Sequence, residues 1–349
     1  VPIAVFALIV GAAIVPNSKG ARVERTDLVG SLLSIGGMGL LLWSIIEAPN
    51  RGWSSLLVLG GLGGSCLALL AFVLWERRSP NAMLELSLFR SRRFSAAIGA
   101  MAVVIFALMG ALFLLTQYLQ FSLGYTPLQT GLRVAPIAAV LLVCAPTSTL
   151  LVRLVGTKPV VFVGMVLIGL GMGMLTSVTT ATNYLDVLPW LFLLGIGAGL
   201  AFAPCTDAVM GSLRLEQTGV GSATNGAALQ TGGALGVAVL GSLLNARYQG
   251  RMAPVLARYP IPRSVVHLVT GSLGGTLAAA RRVGGPLGAA LAHLGRVSFV
   301  GGMDLALTVG ACATAVAALV VVGVLPNRPT PVHPVTEVPA RAPSPVARR

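Results

Sequence analysis

Long apolar runs separated by short polar breaks organise this chain. They read as Val1–Val15, Leu28–Ile46, Leu56–Leu74, Ala96–Leu115, Val134–Leu151, Val160–Val178, Leu188–Val209, Gly219–Leu244 and Phe299–Leu325. A helix needs about 20 apolar residues to cross the hydrocarbon core of a bilayer, and most of these runs supply them. Lipid offers no partner to a backbone N–H or C=O, so only helices and closed barrels span it. Continuous apolar runs select helices, because barrel strands alternate every second residue. The pattern predicts an all-α polytopic membrane protein with nine transmembrane helices.

The polar breaks differ in charge, and the difference sets a topology. Lys19, Arg22 and Arg25 fall in the first break, and Arg77, Arg78, Arg90, Arg92 and Arg93 in the third. Arg153 and Lys158 fall in the fifth, and Arg214 in the seventh. The short breaks between them carry only Arg51 and Arg133. Cytoplasmic loops concentrate Lys and Arg, which predicts these basic breaks and the C-terminus to be cytoplasmic in a cell membrane. The formal charge of +14 is therefore a topology signal, not a nucleic-acid footprint. A mean hydropathy of +0.88 with 10% charged residues excludes an ordinary soluble domain.

Between the third and fourth runs, residues 76–93 mix arginines with Met83, Leu84, Leu86, Leu88 and Phe89. This reads as an amphipathic segment at the headgroup boundary, or as a plain linker. A long loop follows the eighth run over 245–298. Its stretch Val265–Ala280 is too short and glycine-rich for another span, so a surface helix pair is expected there. The Pro-rich tail, 327–349, is expected to be disordered. Cys66, Cys144, Cys205 and Cys312 are scattered through apolar runs and read as small packing residues, without disulfide or metal.

Few residues offer chemistry. The glycines of "GLGMGM" and "GIGAGL" lie inside apolar runs with no strand before them, which excludes a dinucleotide loop. Gly169 and Gly173, Gly195 and Gly199, and Gly232 and Gly236 instead have the small-xxx-small spacing of closely approaching helices. His267, His293 and His333 lie in the loop or tail without partners, and no nucleophile elbow is present, so no enzyme and no cofactor is expected. Polar groups in lipid are costly and mark function or helix contacts. Asp207 reads as a cavity or gating residue, or as an interfacial one. Asn225 and Gln230 line a cavity or tie helices together, and Gln117 and Gln120 face a vestibule or interfacial water. Glu47 and Asp304 are weaker candidates, and Pro136, Pro146 and Pro204 are places for helix bends.

Three segments carry a resemblance: "LELSLFRSRRF", the turn "QYLQFSLGYTPLQTGLRVAP", and "GIGAGLAFAPCTDAVMG" followed by "GVGSATNGAALQTGGALGVAVLGSLL". Together these resemble the drug:proton antiporters of the major facilitator superfamily, in the 14-span QacA/EmrB-like subgroup. The resemblance runs from Val1 to about Leu325. It implies that 1–18 is the last helix of an N-terminal bundle whose other five helices precede Val1. It makes 27–75 a central helix pair and 94–326 a six-helix C-terminal bundle. Its loop signature falls at "LVRLVGTKPVV", keeping Arg153, Gly156 and Lys158 but lacking the aspartate of fuller versions. The implied function is efflux of amphipathic small molecules, with protons as coupling ion. The residues leave a second reading open, a non-transporting membrane scaffold or sensor.

Overall fold

In a computed structural model the described residues are 5–6, 10, 27–79, 86–213, 217–257 and 263–327. All regular elements among them are helical, and eight helices are long and apolar enough to cross a membrane. The expected span Val1–Val15 lies outside the described residues apart from residues 5, 6 and 10. So do Lys19, Arg22, Arg25, Arg214, residues 80–85 of the linker and the tail from 328.

Helices α1 (Leu28–Arg51) and α2 (Leu56–Glu76) pair as an antiparallel hairpin. Asp27 caps α1 by accepting from the Gly30 N–H at 2.9 Å, and it also accepts from the Trp75 indole at 2.9 Å. One carboxylate thus closes the open end of the hairpin. Gly37 and Gly64 make room at the crossing for Leu69 and Leu40.

The bundle consists of α3 (Arg92–Gln117), α4 (Pro127–Val155), α5 (Thr157–Met174), α6 (Tyr184–Met210), α7 (Thr218–Leu256) and α10 (Gly285–Val324). Two short helices, α8 (Arg263–Gly271) and α9 (Leu273–Val283), lie between α7 and α10. The start of α4 is written locally. Thr126 and Gln129 form a reciprocal capping box around Pro127, which suits the first turn because it has no N–H to satisfy. At its far end α3 widens into a π turn, Tyr118–Ser122, and the Tyr118 hydroxyl donates to the Thr179 carbonyl at 2.8 Å.

Helix α3 occupies the centre, packed on α5, α6, α7 and α10. Of its most apolar stretch 56% is buried, against 11% for α4, which rests almost wholly on α6. Phe94, Met101 and Leu114 of α3 and Tyr118 of its π turn join Ile168, Leu194, Leu240 and Phe299 in one continuous core. Leu88, expected at the headgroup boundary, is instead buried in that core just before α3 starts. Cys205 is buried, but Cys66 and Cys312 face outward, so they are not the packing residues that hydropathy suggested.

The apolar runs underestimate two helices. α7 and α10 have 39 and 40 residues. At ~1.5 Å per residue that is about 60 Å, twice the hydrocarbon thickness. Both therefore continue past the bilayer, through much of the stretch expected as loop over 245–298. With α8 and α9 they form a helical cap. Tyr248, buried on the extension of α7, hydrogen-bonds Thr276 of α9, whose hydroxyl donates to the Val269 carbonyl at 2.7 Å.

Candidate functional site

Close helix approach shapes every cavity in this bundle, and glycines permit it. The Gly195 and Gly199 positions abut the Ile137 carbonyl and Cys144, joining α6 to α4. Gly232 and Gly236 abut the Ala102 and Phe106 carbonyls, joining α7 to α3. The third expected pair is different. A side chain at Gly173 would meet nothing within 4 Å, and at Gly169 only the Ala311 carbonyl at 3.6 Å. The tight contact of α5 with α6 is made by Gly164, Gly171 and Gly197. Sequence spacing missed them because each helix offers glycines in several registers.

The hairpin meets the bundle along α7. At the cap end Asn50 accepts from Gln249 at 2.8 Å, which fixes α1 to α7. Lower down the two diverge around a cleft of about 450 Å³. Ile35, Met38, Leu69 and Phe72 form its hairpin wall, and Ala223, Ala227, Gln230 and Thr231 form its α7 wall. The Gln230 side chain is exposed there. Asn225 lies one turn away with its side-chain oxygen buried and without a hydrogen-bond partner among the described residues.

The other candidates do not join them. Gln117 lines a separate cavity of about 260 Å³ beneath the cap, with Phe113, Gly241, Asn245 and Tyr248. Gln120 is half-buried in the π turn. Asp207 is exposed near the end of α6 and lines neither space. Asp304 is exposed on α10, and Glu47 pairs with Arg51 at 2.9 Å on the surface of α1. The cleft is thus apolar with a sparse polar wall, the construction that suits amphipathic organic ligands.

At the opposite end from the cap, the loop-signature residues form a tight corner. Gly156 ends α4 with φ +94°, and Thr157 then begins α5 while its N–H donates to the Asn327 carbonyl at 3.3 Å. A Cβ on Gly156 would run into Asn327. Arg153 and Lys158 flank the corner, exposed and half-buried. Gly156→Ala is expected to lower stability by about 1–3 kcal/mol, from the left-handed backbone and the collision together. Thermal unfolding of the purified variant measures this, and an unchanged midpoint would refute the corner's role.

Arg133 holds a position that hydropathy does not single out. Its guanidinium lies 3.8 Å from the Tyr125 ring centroid and 5.4 Å from that of Tyr184. The Tyr184 hydroxyl donates to the Arg133 carbonyl at 2.9 Å, in the turn preceding Pro136. Pro136 has no N–H for the Leu132 carbonyl one turn back, and the Tyr184 hydroxyl braces that weakened turn at the neighbouring Arg133 carbonyl. The signal was present as an arginine just inside an apolar helix, flanked in space by aromatics far apart in sequence.

Comparison with known proteins places this architecture. The Major Facilitator Superfamily matches residues 4–237. The chain is 30% identical over 325 residues to the tetracenomycin C resistance and export protein of Streptomyces glaucescens, covering 92% of this chain and 60% of that protein. It is 35% identical over 268 residues to the multidrug resistance protein Stp of Mycobacterium tuberculosis, covering 76% and 50%. It is 26% identical over 325 residues to the multidrug efflux pump LfrA of Mycolicibacterium smegmatis, covering 92% and 63%. The chain spans about half to three fifths of the length of these curated relatives. The family match takes in the hairpin and the bundle as far as α7, the elements that bound the Gln230 cleft, and the chain belongs to the Major Facilitator Superfamily.

Proposed function

We propose that this chain forms part of a secondary transporter of the cell membrane that exports drugs or other amphipathic organic compounds in exchange for protons. The observation that carries the reading is the cleft between hairpin and bundle, whose apolar walls and single exposed amide suit such compounds. The names of its relatives, which speak of export and of multidrug resistance and efflux, point the same way. The mechanism is alternating access, with helical bundles rocking about a site near the midplane. An apolar hairpin ahead of a six-helix bundle supports the 14-span QacA/EmrB-like subgroup. Arg77, Arg78, Arg90, Arg92, Arg93, Arg153 and Lys158 all lie at the Gly156 end, which supports a cytoplasmic face and C-terminus there.

Efflux of a fluorescent amphipathic dye from cells producing the full-length transporter that contains this chain tests each part separately. Efflux should stop when a protonophore collapses the proton gradient, and persistence would remove protons as the coupling ion. Gln230→Ala should slow efflux by about fivefold, the effect of one hydrogen bond worth ~1 kcal/mol. Asp207→Asn reports on gating. If both variants match the wild type in efflux and resistance, these residues are not the site. No export by the full-length wild type would end the transporter reading itself.

A further inference from the structure

The cap carries an imbalance of charge that transport leaves unexplained. Between residues 245 and 298 the sequence holds seven arginines and no aspartate or glutamate. Arg247, Arg251, Arg281, Arg282 and Arg296 lie on described helices there, and none of them forms a salt bridge among the described residues. This basic cap stands at the end opposite to the corner at Gly156, so it is not part of the loop pattern that sets topology.

Two of these arginines converge. Gly288, Ala292 and Arg296 recur at four-residue intervals along one face of α10. Opposite them stand Leu277, Ala280 and Arg281 of α9, and the six residues line an open cavity of about 230 Å³. The helices approach closely because Gly288 abuts the Ala280 carbonyl and Gly295 abuts Thr276. The Arg296 Nε is buried with no hydrogen-bond partner among the described residues. Arg296 as a whole is half-buried, so one edge of its guanidinium lacks a protein partner while the other stays open to an anion in the cavity. The space is smaller than the roughly 300–1,000 Å³ clefts that take drug-sized ligands.

Depth identifies the anion. Arg296 precedes the apolar run from Phe299 by three residues, or about 4.5 Å of helix. The cavity therefore starts where the headgroups of the adjoining leaflet begin and extends outward from there through Ala292 and Gly288. Paired guanidinium forks match the oxygens of a phosphate in geometry and charge. We propose that Arg281 and Arg296 form a binding site for the phosphate of an anionic lipid headgroup, with Arg247, Arg251 and Arg282 supplying the attracting field around it. The site is independent of the proposed substrate cleft and of the direction of transport.

Thermal unfolding of the detergent-purified protein tests this, with phosphatidylglycerol, phosphatidylcholine or inorganic phosphate added. Phosphatidylglycerol should raise Tm of the wild type and of a Leu287→Gln control, an exposed position on α10 outside the cavity. The Arg281→Gln/Arg296→Gln variant should need about tenfold more of it for the same shift. An equal response from the double variant overturns the site. An equal response to phosphatidylcholine shows that charge is not read, and overturns it too. Inorganic phosphate acting as strongly at equal concentration makes this a free-anion site and overturns the lipid. If the double variant does not fold, Arg281→Gln alone carries the comparison, because Arg281 is exposed on the last turn of α9.

Discussion

Replacing Gly236 by alanine should lower stability by about 1–3 kcal/mol, while the same change at Gly173 should leave it unchanged or slightly raised. The added methyl at Gly236 would overlap the Phe106 carbonyl oxygen, and the next nearest atoms are also backbone. A side chain in the way could rotate aside, but a carbonyl within a helix cannot, so α7 must back away from α3. That retreat is expensive in lipid, where the tails are as apolar as leucine. Helices are held together there by van der Waals contact at close range. Because α3 also packs on α5, α6 and α10, the disturbance spreads through the core. Gly173 has open space around its Cβ position, and alanine there gains roughly 0.5–1 kcal/mol of helix preference. Thermal midpoints in detergent, together with the amount recovered from membranes, measure both. A Gly236→Ala midpoint equal to the wild type would refute the close approach of α3 and α7.

The contrast between these glycines shows what the sequence could convey. Helix identity was legible because a bilayer imposes it residue by residue: an apolar run of sufficient length has no other fold available. Local starts were legible where the signal is local, as at Thr126, Pro127 and Gln129. Helix partners were not. Gly169 and Gly173 share one face of α5, whereas Gly164 and Gly171 share another, and only the position of α6 decides which face is used. Hydropathy also placed helix ends at the edge of the apolar run, whereas α7 continues to Leu256 and α10 begins at Gly285. Backbone hydrogen bonding has no reason to stop where lipid does.

Helix packing likewise separates the candidate residues. Gln117, Asp207 and Gln230 each looked alike on paper, a polar side chain in or beside an apolar run. The bundle sends them to three different surroundings: a pocket beneath the cap, an exposed helix end and the hairpin cleft. Of these only Gln230 faces a space large and apolar enough for a drug-sized compound. The hairpin, which wall-to-wall contact would close against α7, is held at Asn50 and stands apart beside Gln230.

The second large effect is expected at Tyr248, where Ala should cost about 3–5 kcal/mol and Phe only about 1 kcal/mol. Tyr248 is 1% exposed, on the part of α7 that extends beyond the apolar run. Its ring fills the space between α7 and the cap, and its hydroxyl reaches Thr276 of α9 and the Val269 carbonyl of α8. Removing the ring leaves a cavity, and removing the hydroxyl alone leaves Thr276 still bonded to Val269. The cap lies past the membrane-spanning stretch, so burial there is driven by water, unlike the contacts at Gly236. The loss should therefore be local: α8 and α9 should open while the bundle stays folded. Limited proteolysis with mapping of the cut sites reads this directly. Tyr248→Ala should be cleaved within the cap far faster than Tyr248→Phe, with the bundle resisting equally in the two variants. Equal protection of the cap in the two variants would mean that Tyr248 does not hold it, and cleavage throughout α3 to α7 would mean that the cap and the bundle unfold as one unit.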